Sequence, residues 1–224
     1  VVSQIIGDLD RAAECLDWKW GSKSDKGRAT KGAAMSLKAR LLLFEASPLV
    51  NEKGDLALWK KAADAAAEVM DHAKEAGYDL FPDYRKLFLP ANEHSCECIF
   101  DVEYSKTKNT PINAWNVQSV QYRNNAPLLD LVNAYESSDG KTYAQDNYDK
   151  KDPRFKATVF YPGCTFLGKV NSTATQICQF TGFAHKKLTI YDNQARDPDD
   201  GNGETNYMFI RYADVLLMFA EAKN

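Results

Sequence analysis

Apolar residues recur at steps of three and four positions in several stretches of the chain, which is the spacing of an amphipathic helix. In the first stretch, Val2, Ile5 and Leu9 share one side, and charged residues lie opposite them. The same periodicity predicts four helices, over residues 1–18, 32–47, 59–76 and 212–223. We therefore expect a mainly α-helical framework.

Capping and breaking residues mark the ends of the two middle helices. Thr30 suits the N-cap of the helix over 32–47, and Asp55 suits the N-cap of the helix that follows. Pro48 ends the earlier helix, because proline lacks an N–H donor and restricts the residue before it. Gly77 fits the left-handed position just past the end of the later helix. The two helices are thus neighbours joined by a short connection.

Alanines on both middle helices predict close packing between them. In the helix over 32–47, one face is predicted to hold Ala33, Leu37, Arg40, Leu41 and Phe44, while Ala34, Ala39 and Ala46 keep the other faces thin. In the helix over 59–76, the apolar stripe contains Trp59, Ala62, Ala63, Ala66, Val69 and Met70. Such an antiparallel pair is the unit of a tetratricopeptide-type solenoid, which needs several pairs to bury its faces. The helices over 1–18 and 212–223 are candidates to flank it.

Residues 78–206 lack a sustained period and form a long, mostly irregular insertion. Within it, residues 95–104 alternate as a half-buried strand, with Cys96, Cys98, Phe100, Val102 and Tyr104 on one side and Glu97, Asp101 and Glu103 on the other. A short helix is predicted over 127–135, a turn over 137–140, and short strands over 155–161 and 189–191. The expected organisation is one domain, with a scaffold over 1–77, an insertion over 78–206, and the start of a last helix pair over 207–224.

Composition excludes several classes of protein. Charged residues make up 26% and hydrophobic residues 44% of the 224 residues, which is typical of a globular chain. The formal charge of -3 gives no electrostatic footprint for nucleic acid, and no run approaches the ~18 apolar residues of a membrane helix. Five cysteines at irregular spacing do not form a disulfide framework, and Cys15 is predicted to be buried. Because both termini fall within or directly after helical patterns, we expect an internal fragment of a longer protein.

Candidate catalytic and metal chemistry is weak. The chain contains no GxSxG, HExxH or glycine-rich phosphate motif. His94, Cys96 and Cys98 share one strand face but lack the spacing of a zinc site, so we predict no metal there. An acidic loop offers oxygen ligands that could hold calcium, but we favour a solvated turn; its residues are Asp197, Asp199, Asp200, Asn202 and Glu204. Arg211 and Asp214 could pair on one helix face, and we interpret them as structural.

The strongest binding candidates lie in the aperiodic stretch over residues 105–125. A sugar-binding surface needs a flat aromatic face for the pyranose ring and polar groups around it for the hydroxyls. Trp115 supplies the first, and the predicted ligand-binding set is Trp115 with Asn113, Asn116, Gln121, Tyr122 and Arg123. Alternatively, Trp115 anchors its loop to the scaffold. Among the other tryptophans, Trp18 and Trp59 are predicted to be packed, whereas the role of Trp20 is left open.

Three stretches together resemble the SusD/RagB family of outer-membrane, nutrient-binding lipoproteins. They are GRATKGAA at 27–34 with its helix, PLLDLVNAY at 127–135 followed by Asp139-Gly140 and Asp152-Pro-Arg-Phe155, and NYMFIRYADVLLMFAEA at 206–222. Their order and spacing also match, and together they cover most of the chain. The third stretch is the most specific of the three.

The resemblance implies a fold, a location and partners. SusD-like proteins have tetratricopeptide-type helix pairs that hold a long irregular insertion, and a lipid anchors them to the cell surface of a Gram-negative bacterium. They bind an oligosaccharide or polysaccharide without catalysis or a cofactor, and help to deliver it to a SusC-like, TonB-dependent outer-membrane transporter. The lipid anchor would precede Val1. Two other interpretations remain open from the sequence: a tetratricopeptide-type protein-interaction scaffold, and an enzyme built on a helical framework.

Overall fold

The structure is a computed structural model that describes residues 1–105, 115, 119, 125–144, 146–166, 168–171, 180–192 and 203–224. The chain divides into two compact units. The first, here called the scaffold unit, comprises Val1–Pro82, His94–Val102 and Tyr207–Asn224. The second, here called the irregular unit, comprises Asp83–Glu93 and Glu103–Asn206.

Helices dominate the regular structure. In chain order the described α-helices are α1 (Val2–Cys15), α2 (Lys31–Ala46), α3 (Leu56–Asp71), α4 (Ala73–Ala76), α5 (Leu129–Ala134), α6 (Pro153–Thr158) and α7 (Tyr212–Lys223). The strands are β1 (Cys98–Val102), β2 (Val159–Phe160), β3 (Thr165–Phe166), β4 (Lys169–Val170), β5 (Ala184–His185) and β6 (Tyr207–Arg211). Single 3₁₀ turns cover Lys23–Asp25, Lys86–Phe88, Pro90–Asn92 and Tyr148–Lys150. None of the described helices combines the length and hydropathy that crossing a membrane requires.

The predicted caps Thr30, Asp55 and Gly77 are confirmed, whereas the helix predicted over 1–18 ends at Cys15. The Thr30 hydroxyl accepts the N–H of Ala33 at 3.3 Å, and the Asp55 carboxylate accepts the N–H of Ala57 at 2.9 Å. Gly77 has a φ of +79°, which glycine adopts without the steric cost of a Cβ atom. The helix predicted over 59–76 begins earlier, at Leu56, and is divided at His72 into α3 and α4.

Four helices of the scaffold unit pack in sequence. Helix α2 packs against α1 and α3, and α3 packs in turn against α7. The helix predicted over 212–223, which is α7, therefore packs next to α3 as expected, although more than a hundred residues separate α3 and α7 along the chain. Alanines allow this close packing, since Ala39, Ala46 and Ala66 are each 0% exposed.

Two predictions about buried residues in this unit were wrong. Leu37 and Phe44 of α2 are 38% and 57% exposed, because α2 lies between two helices and buries Met35 and Leu42 together with its alanines. The predicted apolar face used a single side of α2, whereas the packing uses two. Cys15 at the end of α1 is exposed rather than buried.

The strand predicted over 95–104 exists as β1, but its burial does not alternate as predicted. Strand β1 pairs antiparallel with β6, with irregular register, and the buried residues of the stretch are Glu97, Cys98, Ile99 and Asp101. Cys96 and Val102 are exposed. Glu97, at 3% exposure, is tolerated inside because its carboxylate accepts hydrogen bonds from the guanidinium of Arg211 and from the N–H of Phe81.

The irregular unit is held by small aromatic clusters. One cluster contains Phe160, Phe166, Ala184 and Tyr191, and the other contains Val132, Phe155, Val159 and Phe183. Strand β2 pairs antiparallel with β5, and β3 pairs antiparallel with β4. The predicted helix over 127–135 is confirmed as α5.

In the irregular unit, the strand predicted over 155–161 is confirmed only in part, and the strand predicted over 189–191 was wrong. Residues 155–158 belong to α6, because Asp152 caps the N–H of Arg154 at 2.8 Å and Pro153 occupies the first helical position. Only Val159 and Phe160 of that stretch form a strand. Residues 189–191 form no strand and instead supply backbone carbonyls to Arg85.

Candidate functional site

Trp115 is half-buried in the irregular unit and is fixed through its indole N–H. Its Nε1 atom donates to the backbone carbonyl of Lys187 at 2.9 Å. The five other predicted ligand-binding residues lie outside the described residues: Asn113, Asn116, Gln121, Tyr122 and Arg123. The geometry of the predicted set therefore rests on Trp115.

The segment beneath Trp115 is itself held in place by an arginine. Arg85, with a side chain 14% exposed, donates to the carbonyl oxygens of Thr189 at 2.9 Å and Tyr191 at 2.7 Å. Strand β5, at the start of the same segment, pairs with β2. Because backbone atoms on both sides of Lys187 are fixed, the carbonyl that receives the indole N–H is positioned before any ligand arrives.

Two ionisable side chains described near Trp115 are those of His185 and Lys187. The His185 ring lies 5.5 Å from the Trp115 ring between centroids. Burial lowers the pKa of His185 below its usual 6.5, and the positive charge of Lys187 lowers it further, so the imidazole is neutral at pH 7. The Lys187 ammonium lies 4.4 Å from the centroid of Phe88, where it makes a cation–π contact.

This arrangement suits an apolar contact better than a hydrogen bond. An indole whose only donor is committed to a backbone carbonyl can offer a ligand its flat carbon surface. Such a surface matches the C–H face of a pyranose ring. The anchor interpretation of Trp115 also has a concrete basis, because the bond to Lys187 joins two distant segments of the irregular unit.

The two candidate metal clusters have different outcomes. His94, Cys96 and Cys98 do not form a group of converging ligand atoms among the described residues, and Cys96 is exposed. His94 instead has its Nδ1 atom 3.5 Å from the buried Asp101 carboxylate. Four of the acidic-loop ligands lie outside the described residues: Asp197, Asp199, Asp200 and Asn202.

Residues at the edges of that loop are described. Asp192 accepts from the Lys186 ammonium at 2.6 Å and from Arg85 at 3.4 Å, so its carboxylate is already paired with cations. Glu204 is exposed. The preference for a solvated turn over a calcium site therefore stays a prediction.

Arg211 at the end of β6 and Asp214 in α7, both interpreted as structural, have different partners from those expected. Arg211 pairs with Glu97, and Asp214 accepts from Arg40 at 2.5 Å. Arg40 also donates to the carbonyl of Phe209 at 3.2 Å. The predicted pairing between Arg211 and Asp214 was wrong, because each side chain reaches a residue far away in sequence; that the two residues are structural stays a prediction.

Two cavities were missed from the sequence. In the scaffold unit, a cavity of about 390 Å³ is lined by Trp18, Trp20 and Tyr78 among others. Trp20, whose role was left open, is half-buried, and its Nε1 atom donates to the carbonyl of Arg28 at 2.6 Å. In the irregular unit, a cavity of about 340 Å³ collects three lysines. In the sequence, this second cavity is indicated only by the adjacent lysines Lys150 and Lys151, which follow the predicted turn.

The described residues form a mainly helical unit and a second compact unit of short, irregular segments. A family model described as the SusD family matches residues 96–224, more than half of the chain. The chain therefore belongs to the SusD family.

Individual relatives agree with this assignment. A SusD-like protein of Bacteroides ovatus is 28% identical over 97% of this chain and 39% of its own length. The crystal structure of a SusD-like protein from Bacteroides fragilis is 26% identical, with a TM-score of 0.76 over 99% of this chain and 48% of that one. A SusD-like carbohydrate-binding protein, also from Bacteroides fragilis, is 22% identical, with a TM-score of 0.78 over 99% of this chain and 45% of that one. The chain thus spans less than half the length of these three relatives.

Proposed function

We propose that this protein binds a glycan without chemical turnover, and that Trp115 provides a flat surface for one sugar ring. The observation that carries the proposal is the half-buried indole whose N–H is committed to the Lys187 carbonyl. Membership of the SusD family and the carbohydrate-binding name of one structural relative support it.

The polar part of the site is proposed to come from the residues around Trp115 in sequence. Asn113, Asn116 and Gln121 would supply amide groups for sugar hydroxyls, with Tyr122 and Arg123 beside them. In this proposal residues 78–206 act as the ligand-binding insertion, and residues 1–77 and 207–224 act as its support.

We further propose that the whole protein works at the cell surface of a Gram-negative bacterium. A lipid anchor would hold it to the outer membrane, and the glycan would pass to a SusC-like, TonB-dependent transporter. The family resemblance supports this part. Co-purification from outer membranes tests it, since recovery of the tagged protein without a TonB-dependent barrel would count against it.

Binding can be tested by isothermal titration of the full-length protein against a panel of oligosaccharides. We expect Trp115→Ala to weaken binding of the recognised glycan roughly tenfold or more, because burying an aromatic side chain is worth about 1.5–3 kcal/mol. Trp115→Phe keeps a ring and loses the N–H, so it should retain most of the affinity. Chromatography of the glycan after incubation should show no shorter products.

Trp20→Ala is a matched control. Trp20 is also half-buried and also donates its N–H to a backbone carbonyl, but it lies in the scaffold unit. Its loss should lower stability without changing the affinity for glycan. If Trp115→Ala leaves the affinity unchanged and only lowers stability, Trp115 is an anchor. If the wild-type protein binds no member of the panel, or cleaves one, the proposed function is wrong.

A further inference from the structure

A cavity in the irregular unit, here called the lysine pocket, is rich in positive charge. It has a volume of about 340 Å³, which is within the ~300–1,000 Å³ range of small-ligand sites. Its described lining contains three lysines and no carboxylate; the lining residues are Asn133, Tyr135, Ser137, Lys141, Tyr143, Ala144, Asn147, Lys150 and Lys151.

Backbone hydrogen bonds place the three lysines together. Ser137 and Lys151 form an antiparallel bridge, and the N–H of Ser138 donates to the carbonyl of Lys150 at 2.9 Å. The turn predicted over 137–140 is confirmed, and Gly140 closes it with a φ of +70°. The turn brings Lys141 back to the cavity that Lys150 and Lys151 line, so the charges are gathered by the fold.

One of the lysines is fixed at the end of a helix. The Lys151 ammonium donates to the carbonyl of Val132 at 2.9 Å and to the carbonyl of Tyr135 at 3.2 Å. These carbonyls lie at the C-terminal end of α5, where a cation is favoured. An ammonium has three N–H donors, so Lys151 keeps one donor beyond these two bonds.

The three lysines form no direct ion pair with the carboxylates that the structure describes. None of the three ammonium groups lies within 4.0 Å of a described carboxylate. Two nearby acids have other partners: Asp149 accepts from Lys156 at 2.6 Å, and Asp152 accepts from Arg154 at 2.7 Å. Within the described residues the three ammonium groups therefore make no direct ion pair, and Lys150 attracts the carboxylates of Asp139 and Asp149 at longer range.

A third acid, Asp139, belongs to the turn itself. It accepts from the Tyr143 hydroxyl at 2.5 Å and from the N–H of Lys141 at 3.2 Å. These bonds hold the turn and Tyr143 in position. The Lys150 ammonium lies 5.6 Å from the centroid of the Tyr143 ring, so the aromatic side chain and the cation form one wall.

We infer that the lysine pocket binds the carboxylate or sulfate group of an acidic sugar within the glycan. The lysines would hold the anionic group, while the hydroxyl of Tyr135 and the amide of Asn147 suit neighbouring sugar hydroxyls. This inference rests on the proposed function, since it names the chemical class of the glycan.

The test compares three oligosaccharides of equal length by isothermal titration of the full-length protein: a neutral glucan, an oligogalacturonide that carries carboxylates, and a sulfated galactan. The double variant Lys141→Ala/Lys150→Ala should weaken binding of the acidic ligand at least tenfold and leave binding of any neutral ligand unchanged. Lys151 is kept, because its bonds to α5 give it a structural role. Raising the salt concentration from 50 to 500 mM should weaken binding of the acidic ligand and leave binding of the neutral ligand unchanged.

Lys169→Ala is the matched control, because Lys169 is an exposed lysine of the same unit on β4. It should change neither affinity. Preference for the oligogalacturonide or for the sulfated galactan identifies the anionic group, and either supports the inference. Binding of the neutral glucan alone overturns the inference and leaves the proposed function standing, whereas binding of none of a broad glycan panel overturns both. Equal loss of acidic binding in the control variant would also contradict a specific pocket.

Discussion

The scaffold unit and the irregular unit are stabilised in different ways. The scaffold unit has one continuous core in which alanines such as Ala39 and Ala66 let helices approach closely. In the irregular unit, the described residues form two small clusters around Phe155 and Phe160, and side chains that bond to backbone carbonyls tie its segments together. Arg85 is the main example. Periodic packing supports the first unit, and individual long-range polar contacts support the second.

This difference has a consequence for function. In closely packed helices, a change in the volume of one side chain affects several neighbouring side chains. Segments held by single polar contacts can vary in sequence as long as those contacts remain. The proposed ligand contacts, Trp115 and the lysine pocket, both lie in the irregular unit, whereas the family signature at the end of the chain lies in the scaffold unit.

The largest expected loss of stability would be an exception to this comparison, because it comes from a polar contact inside the scaffold unit. Arg211→Ala removes the cation that pairs with Glu97, which is 3% exposed. Leaving a buried charge without its partner typically costs about 3–5 kcal/mol. Urea denaturation followed by tryptophan fluorescence should show this loss, since three of the four tryptophans lie in this unit. Arg28→Ala is the control: its pair with Asp25 is exposed, and a change below about 0.5 kcal/mol is expected. Equal effects would mean that Glu97 is not effectively buried.

The next effect tests whether one side chain holds the irregular unit together. Arg85→Ala removes two short bonds to the carbonyls of Thr189 and Tyr191 and should destabilise this unit by about 2–3 kcal/mol. Hydrogen exchange measured by peptide should rise in residues 183–192, with little change in α2 and α3. Arg154→Ala, at an exposed arginine of the same unit, should leave exchange there unchanged. A uniform rise across both units would contradict the separate stabilisation of the two.

The sequence predicted the scaffold unit well for a physical reason. Helix ends depend on residues within one turn, so Thr30, Asp55 and Gly77 could be assigned from neighbours alone. What failed was the burial of individual side chains. Leu37 was placed inside and Glu97 outside, because burial depends on which distant segment packs against each face.

The candidate site was harder to predict for the same reason. Trp115 was singled out because it lies in an aperiodic polar stretch, but its bond to Lys187 joins residues 72 positions apart. The lysine pocket depends on a backbone bridge between Ser137 and Lys151 that no local pattern announces. The sequence can point to a single candidate residue such as Trp115. It cannot show which distant residues lie beside that residue, because this depends on the fold.

A smaller effect sharpens the account of alanine packing in the scaffold unit. Ala66 on α3 is 0% exposed, so Ala66→Leu adds volume where none is available and should cost about 1–3 kcal/mol. Thermal unfolding by circular dichroism measures the shift. Ala57→Leu is the matched control, because Ala57 lies on the exposed side of the same helix and should change stability little. If both variants were equally stable, close helix contact would not be what selects alanine at position 66.

The smallest effect concerns protonation next to Trp115. Burial, followed by the charge of Lys187, lowers the pKa of His185 below 6.5, so the unfolded chain binds a proton more readily than the folded protein. The stability of the irregular unit should therefore be highest above pH 6.5, fall as the pH drops through that value, and level off once the folded state is also protonated. Urea denaturation at pH 7.5 and 5.5, read from hydrogen exchange of residues 183–192, should show a smaller pH difference in His185→Gln than in the wild type. A salt control separates the two causes. Burial is the main cause, and salt screens the charge of Lys187 but not desolvation, so 0.5 M salt should leave most of the pH difference in stability in place. An identical pH difference in His185→Gln would assign the pH dependence to another group. Loss of the pH difference in salt would make the charge of Lys187 the main cause.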